Sequence, residues 1–482
     1  MPSNQVIRVG RSDDGVAAAS LRAGIAQIQA ELKVSPTFPP QVEQAAQAAA
    51  ANPTLPDLDR TDLPFITIDP AGSMDLDQAM HLTRNGEGFT VHYAIADVAA
   101  FVTPDGPIDV EAHARGESLY GADSKIPLHP TVLSEGATSL LPDQVRPALL
   151  WTVELDGAGN QTSVHVERAR VRSIAKLDYP GVQKMIDEGT APDAYRETLE
   201  LLKTIGELRI AIETARGGVN LPLPDQEIDI QGDTWHLTYR SLLPSENWNA
   251  QISLLTGFAA ASLMVGAKVG LLRTLPPPDP RDVDRLHRTA QALGISWPDG
   301  VAYPAFIRTL DPAKPNHAAM VVACTRLLRG SGYAAFNGSV PEQSMHSALA
   351  AQYAHVTAPL RRLVDRYAGE ICVAICAGTP VPDWVLAKLE QIPAEMQASG
   401  HRSGGYERAI LDLVEAGVLA PRVGEQFDGV IVEAGDKGGQ VVIQDPAVEA
   451  PVSGASLPVG QDVKVTLASA DVATRKVAFT LP

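Results

Sequence analysis

The order in which hydrophobic periodicities appear along this chain constrains its fold most. Period-two, β-branched runs come first, helical stripes follow, and short Val- and Ile-rich runs return only at the end. Phe65–Ile68, Gln78–Leu82 and Thr90–Ala96 read as strands about the turn Asn85-Gly86-Glu87-Gly88. Two more, Leu149–Leu155 and Ser163–Ser173, flank Asp156-Gly157. Leu201, Ile205, Leu208 and Ile212 then form an apolar helical stripe ended by Gly217-Gly218, and a helical run resumes from Asn247 to about Arg273. No clean linker separates Leu63 from Pro393, so one large mixed α/β domain over 61–395 is the economical reading. The tail, 421–482, carries Gly429–Val432, Gln440–Ile443, Val463–Leu467 and Val477–Leu481 between Gly, Asp and Pro, the pattern of a small barrel. In residues 1–60, Asp13 or Asp14 is placed to cap a helix bearing Leu21, Ile25, Ile28 and Leu32. Val42–Ala51 forms a second helix after Pro39-Pro40. Half of a helix-turn-helix and a packing element on the next domain both fit that pair. The expected class is therefore a multidomain α/β (α+β) chain.

Composition narrows the function classes. A share of 45% hydrophobic and 20% charged residues is ordinary for a globular protein, and the net charge of −18 argues against broad adhesion to nucleic acid. Cations that grip a polyanion must then be concentrated along one path. The start, MPSNQVIRVGRSDDGV, is not of signal type. The most apolar stretch, Ile252 to Val269, is broken by Ser253, Thr256, Gly257, Ser262, Gly266 and Lys268, which fits a buried core helix and no membrane partner. Cys324, Cys372 and Cys376 make no zinc pattern; free thiols in a cytoplasmic monomer are expected.

Chemistry concentrates in FITIDPAGSMDLDQA. Asp69, Asp75 and Asp77 follow the β-branched strand Ile66-Thr67-Ile68, so a strand delivers three carboxylates into a loop containing Gly and Pro. Such a loop gathers hard oxygen ligands around Mg²⁺ and, with two ions, supports phosphodiester hydrolysis. A solvated acidic loop or a calcium loop accounts for the same spacing. Far downstream, YAHVTAPLRRLVDR sets Arg361 beside Arg362, with Arg366 one helical turn on. Guanidinium groups bind phosphate through paired donors and stabilise charge developing on it; an ordinary surface cluster is the other reading.

These segments resemble the ribonuclease II/ribonuclease R family. ITIDPAGSMDLDQA is similar to that family's acidic metal loop, HYAIADVAAFV to its HIADVSHYV and residues 115–146 to its RG-x-S-x-Y…IPMLP…SL-x-P…R segment. ARGGVNL, SENWNAQISLLTGFAAA and HVTAPLRRLVD match three further motifs, all in family order, and the tail is similar to an S1-type OB barrel. The resemblance covers about residues 38–482 and implies processive 3′→5′ hydrolysis of single-stranded RNA to nucleoside 5′-monophosphates with Mg²⁺, for which Mn²⁺ substitutes. Carried over motif by motif, Asp69 and Asp75 are metal ligands and Asp77 serves the chemical step. Arg361 lies at the scissile phosphate with Arg362 in support. Tyr120 stacks on the 3′-terminal base, and Tyr179 with Glu246 senses the 2′-hydroxyl.

The chain departs from the family pattern at definite places. Gln78 stands where a fourth Asp is usual, as a neutral candidate ligand. Leu221 stands where a second stacking aromatic is usual, and Thr357-Ala358-Pro359 lacks a hydroxyl. About 60 helical residues precede Leu63 where the family carries paired cold-shock barrels. In the tail, Phe427 is the candidate stacking residue, with Lys437, Lys464, Arg475 and Lys476 as candidate phosphate contacts. His346 and His355 flank the arginines and read as structural. An RNA-binding regulator on the same fold, and a DNA-directed protein using the N-terminal helices, are the rival functions.

Overall fold

The computed structural model describes residues 16–122, 125–223, 225–231, 234–435 and 438–482. Asp13, Asp14 and Lys437 lie outside them. Helix α1 (Val16–Glu31) and α2 (Pro40–Ala51, with Pro40 at its first turn) lead into β1 (Phe65–Asp69), β2 (Gln78–Asn85) and β3 (Gly88–Ala96). α3 (Pro107–Arg115) and the two-residue strands β4 (Leu119–Tyr120) and β5 (Lys125–Ile126) interrupt the sheet before β6 (Val145–Leu155) and the long β7 (Gln161–Asp178). β1, β2, β3, β6 and β7 close into a barrel whose seam is the parallel pair β1–β7. Closure removes every free edge, so the alternating residues Ile66, Met80, Tyr93 and Trp151 turn inward and are all nearly inaccessible.

Helices α4 (Tyr179–Glu188) and α5 (Arg196–Arg216) follow the barrel, and Gly217 ends α5 in the left-handed region. The hairpin β8 (Asp225–Gln231) and β9 (Thr234–Arg240) was not evident in the sequence. α6 (Pro244–Ala267) is the core helix, packed with Trp248, Ile252, Leu255 and Met264 among the barrel residues. It is the one described helix long and apolar enough to cross a membrane, and its apolar residues face protein instead. The expected helical run to Arg273 stops early. Lys268 takes a left-handed conformation, and Val269–Thr274 becomes β10, paired with Gly332–Asn337. Between them, α7 (Pro280–Ala292), α8 (Tyr303–Ile307) and α9 (Pro315–Cys324) enclose a separate apolar cluster that includes Leu286, Phe306 and Met320. After β11 (Gly332–Asn337) come α10 (Leu363–Ala377), α11 (Asp383–Lys388) and the long α12 (Ile392–Leu419).

The tail is a second closed barrel of β12 (Gln426–Gly435), β13 (Gly438–Ile443), β14 (Val448–Ser453), β15 (Asp462–Asp471) and β16 (Lys476–Thr480). β14 was missed in the sequence because Pro451 and the alternating Glu449 disguise it; Pro451 sits opposite Gln440. Helices α1 and α2 bury their stripes on different cores. Leu21, Ile25 and Ile28 pack with Ile410, Leu413 and Leu419 of α12, while Val42 and Ala46 join the cluster of Phe65, Val98 and Leu140.

Glu415 lies where α12, the β8–β9 hairpin and the second barrel meet. It is 6% exposed and accepts from Gln226 Nε2 at 3.3 Å, and Gln226 also donates to Ala447 O at 2.8 Å. Burial, with help from Asp412 and Glu449, pushes its carboxyl up to about 8. The folded chain therefore holds a proton that the unfolded chain, with Glu near 4.3, releases, so this group lowers stability as pH rises from about 4 to about 8. Glu415→Gln should raise the urea midpoint above that of the wild type at pH 8, with the gain shrinking at pH 5. An equal gain at both pH values would contradict the protonated carboxyl.

Candidate active site

β1 ends at Asp69, and the chain turns through Pro70 and Gly72, the latter at φ +85°, before re-entering the barrel at Gln78. Ser139 clasps this loop from outside: its hydroxyl donates to Met74 O at 2.6 Å and accepts Leu76 N–H at 2.9 Å, while Leu140 N–H donates to Leu76 O. The loop is thereby held with Asp77 pointing inward, 1% exposed. Asp77 Oδ1 accepts Leu360 N–H at 2.8 Å, and Oδ2 accepts Arg361 Nε–H at 2.8 Å. One buried carboxylate thus joins two loops 283 and 284 residues apart.

The arginine loop is fixed from its own side as well. Asp365 Oδ1 accepts Ala358 N–H at 2.8 Å, Ser118 N–H donates to Arg361 O at 2.9 Å, and Leu363 N–H donates to Gly116 O at 2.9 Å. Gly116 sits at φ +73°, and a Cβ there would lie 2.4 Å from Ser399 Cβ, so only glycine brings these segments together. The Arg361 side chain remains 41% exposed while its Nε is held, leaving its terminal N–H groups available. Arg362 forms a two-pronged pair with Asp365, both distances 2.8 Å, and keeps 24% exposure. Arg366 does not belong to the site. It is buried, pairs with Asp109, donates to Val102 O at 3.0 Å and stacks on Trp384.

Charge in the acidic loop is unevenly satisfied. Asp69 Oδ2 is buried with no hydrogen-bond partner among the described residues. Burial first, then Asp77 and Asp75, push the Asp69 carboxyl up to about 7 against the pull of Arg361. Burial likewise lifts Asp77 to about 6. Asp75 instead makes a 2.9 Å ion pair with Lys125 Nζ, which also holds Glu135 at 2.9 Å. No three His, Cys, Asp or Glu side chains among the described residues form a ready metal cage. The donor set still fits a hard divalent ion at Asp69, where an orphaned oxygen and neighbouring like charges call for a cation. The Gln78 amide is anchored through its nitrogen: Nε2 donates to Thr357 O, and Thr357 Oγ1 contacts Ser253 Oγ at 2.8 Å. The amide acts as a strut between the barrel and the arginine loop, a bond that a carboxylate lacks the proton to make.

The tyrosines converge on the same cleft. Tyr120 lies in β4; burial raises its phenol to about 12, with Asp75 raising it further and Arg361 opposing. The register of β1 with β7 pairs Asp69 with Asp178, so Tyr179 begins α4 beside the acidic loop. Its hydroxyl accepts Asn249 Nδ2–H at 3.1 Å, and burial raises it to about 12. Ser245 Oγ donates to Tyr179 O at 3.2 Å and so docks the start of α6, where Glu246 sits. The Glu246 carboxylate accepts Leu243 N–H at 2.8 Å and both Arg240 Nη groups at 2.6 and 3.0 Å, the work of a helix cap.

Two expected RNA contacts, Leu221 and Phe427, lie in apolar clusters. Leu221 is 7% exposed and packs in the cluster of Leu275, Leu286 and Phe306, because a leucine gains more by leaving water than by facing a groove. Phe427 is 5% exposed, edge-on to Phe479 with Arg422 over its ring, and is a barrel core residue. Lys464 pairs with Asp428 and Arg475 with Glu31. His355 accepts or donates at 2.8 Å to Tyr333 O–H, and His346 is 6% exposed; both are structural. Sequence reasoning missed Lys125, Ser139, Asn249 and the Leu360 N–H. All four lie inside matched segments, but only Ser139 stands at a position the quoted motif specifies, in the SL of 115–146. Gln78→Glu should cost about 1–3 kcal/mol in urea unfolding, by removing a donor and leaving the Thr357 carbonyl facing an acid. Unchanged stability would remove the strut.

The RNB domain model matches residues 58–376, and the RNase II-type exonuclease C-terminal S1 domain matches residues 425–481. Ribonuclease R 1 of Lactococcus lactis is 24% identical over 98% of this chain and 61% of its own length. Ribonuclease R of Escherichia coli is 25% identical over 87% and 54%. Exosome complex exonuclease RRP44 homolog A of Arabidopsis thaliana is 27% identical over 70% and 37%, so the chain spans about half the length of such relatives. Mycoplasma genitalium RNase R, solved with ribose methylated single-stranded RNA, superposes with a TM-score of 0.86 at 20% identity, over 96% of this chain and 78% of that one. The same protein with double-stranded RNA gives 0.84 at 21% identity, over 96% and 83%. With two thirds of its length in an RNB domain and its tail in the matching S1 barrel, the chain belongs to the RNB family of RNase II-type exonucleases.

Proposed function

We propose that this protein is a 3′→5′ hydrolytic exoribonuclease that acts processively on single-stranded RNA, uses Mg²⁺ or Mn²⁺, and releases nucleoside 5′-monophosphates. The observation that carries the reading is the coupling of Asp77 to Arg361 beside Asp69, whose buried oxygen has no partner among the described residues. Phosphodiester hydrolysis needs a cation-ready carboxylate and a guanidinium aimed at one phosphate, and the cleft supplies both. Asp69 would hold a divalent ion, which would supply polarisation of water and neutralisation of the leaving 3′ oxygen. Arg361, with Nε fixed by Asp77, offers its terminal N–H groups to the scissile phosphate. Asp77 itself has both oxygens engaged and acts through Arg361 as a positioning residue. Tyr120 stacks on the terminal base. Tyr179 and the Glu246 helix end border the ribose, and Arg362 supports the neighbouring phosphate. A cytoplasmic monomer with domains 1–60, 61–395 and 421–482 completes the proposal.

A second reading has its own support. Gln78 is occupied with Thr357, and Asp75 with Lys125, as a catalytically weakened RNA-binding regulator would allow. Incubation of 5′-labelled oligo(A) with Mg²⁺ separates the two. A ladder shortening from the 3′ end supports the enzyme, and bound but intact RNA supports the regulator.

Arg361→Ala should lower kcat by about 10²–10³-fold with a smaller effect on RNA affinity, since it removes a donor that matters most in the transition state. Weakened binding with unchanged kcat would make Arg361 a grip residue. Asp77→Asn should lower release of 5′-monophosphates to about the level of Arg361→Ala while RNA still binds, because one amide oxygen cannot accept both Leu360 N–H and the Arg361 guanidinium. Wild-type release by the purified variant would defeat the assignment.

A further inference from the structure

We infer that Lys125 is a built-in cation that takes the place of a second metal ion in the acidic loop, so that the site holds one divalent ion, on the Asp69 side. The inference rests on the metal-dependent reading above and specifies how many ions that reading requires. Lys125 lies in β5, directly across the two-strand ladder from Tyr120. Its side chain is 19% exposed and its Nζ stands 2.9 Å from both Asp75 Oδ1 and Glu135 Oε1. Asp75 is itself only 13% exposed, so this is an enclosed bridge rather than a surface pair of negligible strength.

The bridge resembles what an ion would do. A compact positive charge draws together two carboxylates from separate segments, the loop after β1 and the turn after Leu133. The other carboxylates of the loop sort accordingly. Asp77 is held by the Arg361 guanidinium and Leu360 N–H, and among the described residues of the loop Asp69 is the carboxylate with a buried oxygen that has no partner. Gln78 fits the same arithmetic, because replacing a divalent ion with the single charge of Lys125 leaves one positive charge fewer to balance. Its amide is instead turned to the Thr357 carbonyl. A second divalent ion ligated by Asp75 would have to sit against the ammonium of Lys125, and like charges in a poorly hydrated pocket exclude one another.

Counting bound Mn²⁺ by electron paramagnetic resonance on the full chain without RNA tests this. The wild type should bind one tight ion per chain, lost in Asp69→Asn. Lys125→Met, close in size but uncharged, should bind two, while Lys125→Arg, which keeps the charge, should stay at one. Thermal melting of each variant verifies that it is folded. Two ions in the wild type, or one in Lys125→Met, would overturn the inference. The oligo(A) ladder keeps this failure apart from that of the function. RNA shortened by a two-ion wild type leaves the exoribonuclease standing without the lysine's role, whereas no bound ion and no ladder defeats both.

Discussion

The Asp77 carboxylate, shared between Leu360 N–H and the Arg361 guanidinium, is the interaction on which the candidate site depends. Its two bonds tie the entrance of the first barrel to a loop that arrives after α6, the helical cluster of α7–α9 and β11. Burying a carboxylate is costly, and here burial raises it to about 6 even with the arginine alongside. Such a group is kept ionised only by donors held in place, which explains how much of the surrounding structure fixes the donors. Gly116, Ser118 and Asp365 anchor the arginine loop, and Ser139 anchors the acidic one.

The rest of the cleft follows the same electrostatic logic. Four carboxylates among the described residues have a cationic partner the chain itself provides: Lys125 for Asp75, Arg361 for Asp77, Arg240 for Glu246, Arg362 for Asp365. Asp69 is left with an orphaned oxygen, pushed to about 7 by burial and by its acidic neighbours. A site arranged in this way is poised for a cation at one place. The chain as a whole carries a net charge of −18, so these few basic groups act locally rather than as a broad basic face.

Much of the fold was legible because period-two runs and Gly-containing turns mark barrel strands directly. All five strands of the first barrel and four of the five in the second were placed. Local signals failed where tertiary contacts decide. Val269–Thr274 looked like a continuation of α6, and only the left-handed Lys268 and pairing with β11 make it a strand. β14 was hidden by Pro451. In the site, the strand-to-loop placement of Asp69, Asp75 and Asp77 and the Arg361-Arg362 pair could be read from motifs. Which carboxylate is free could not, since that depends on Lys125 and on a hydrogen bond from Gln78. The burial of Leu221 and Phe427 was hidden for a related reason: an apolar side chain faces a groove or the core according to the surfaces around it, and the sequence near each residue is silent on that.

The claim that Asp77 works through Arg361 is tested most directly by a double-mutant cycle on kcat, using Asp77→Asn, Arg361→Ala and the pair, with single-turnover release of nucleoside 5′-monophosphate as the readout. If the two residues form one unit, the double variant is no slower than the slower single variant. Losses that multiply in the double variant would mean that the two act independently and would contradict the coupling at the centre of the site.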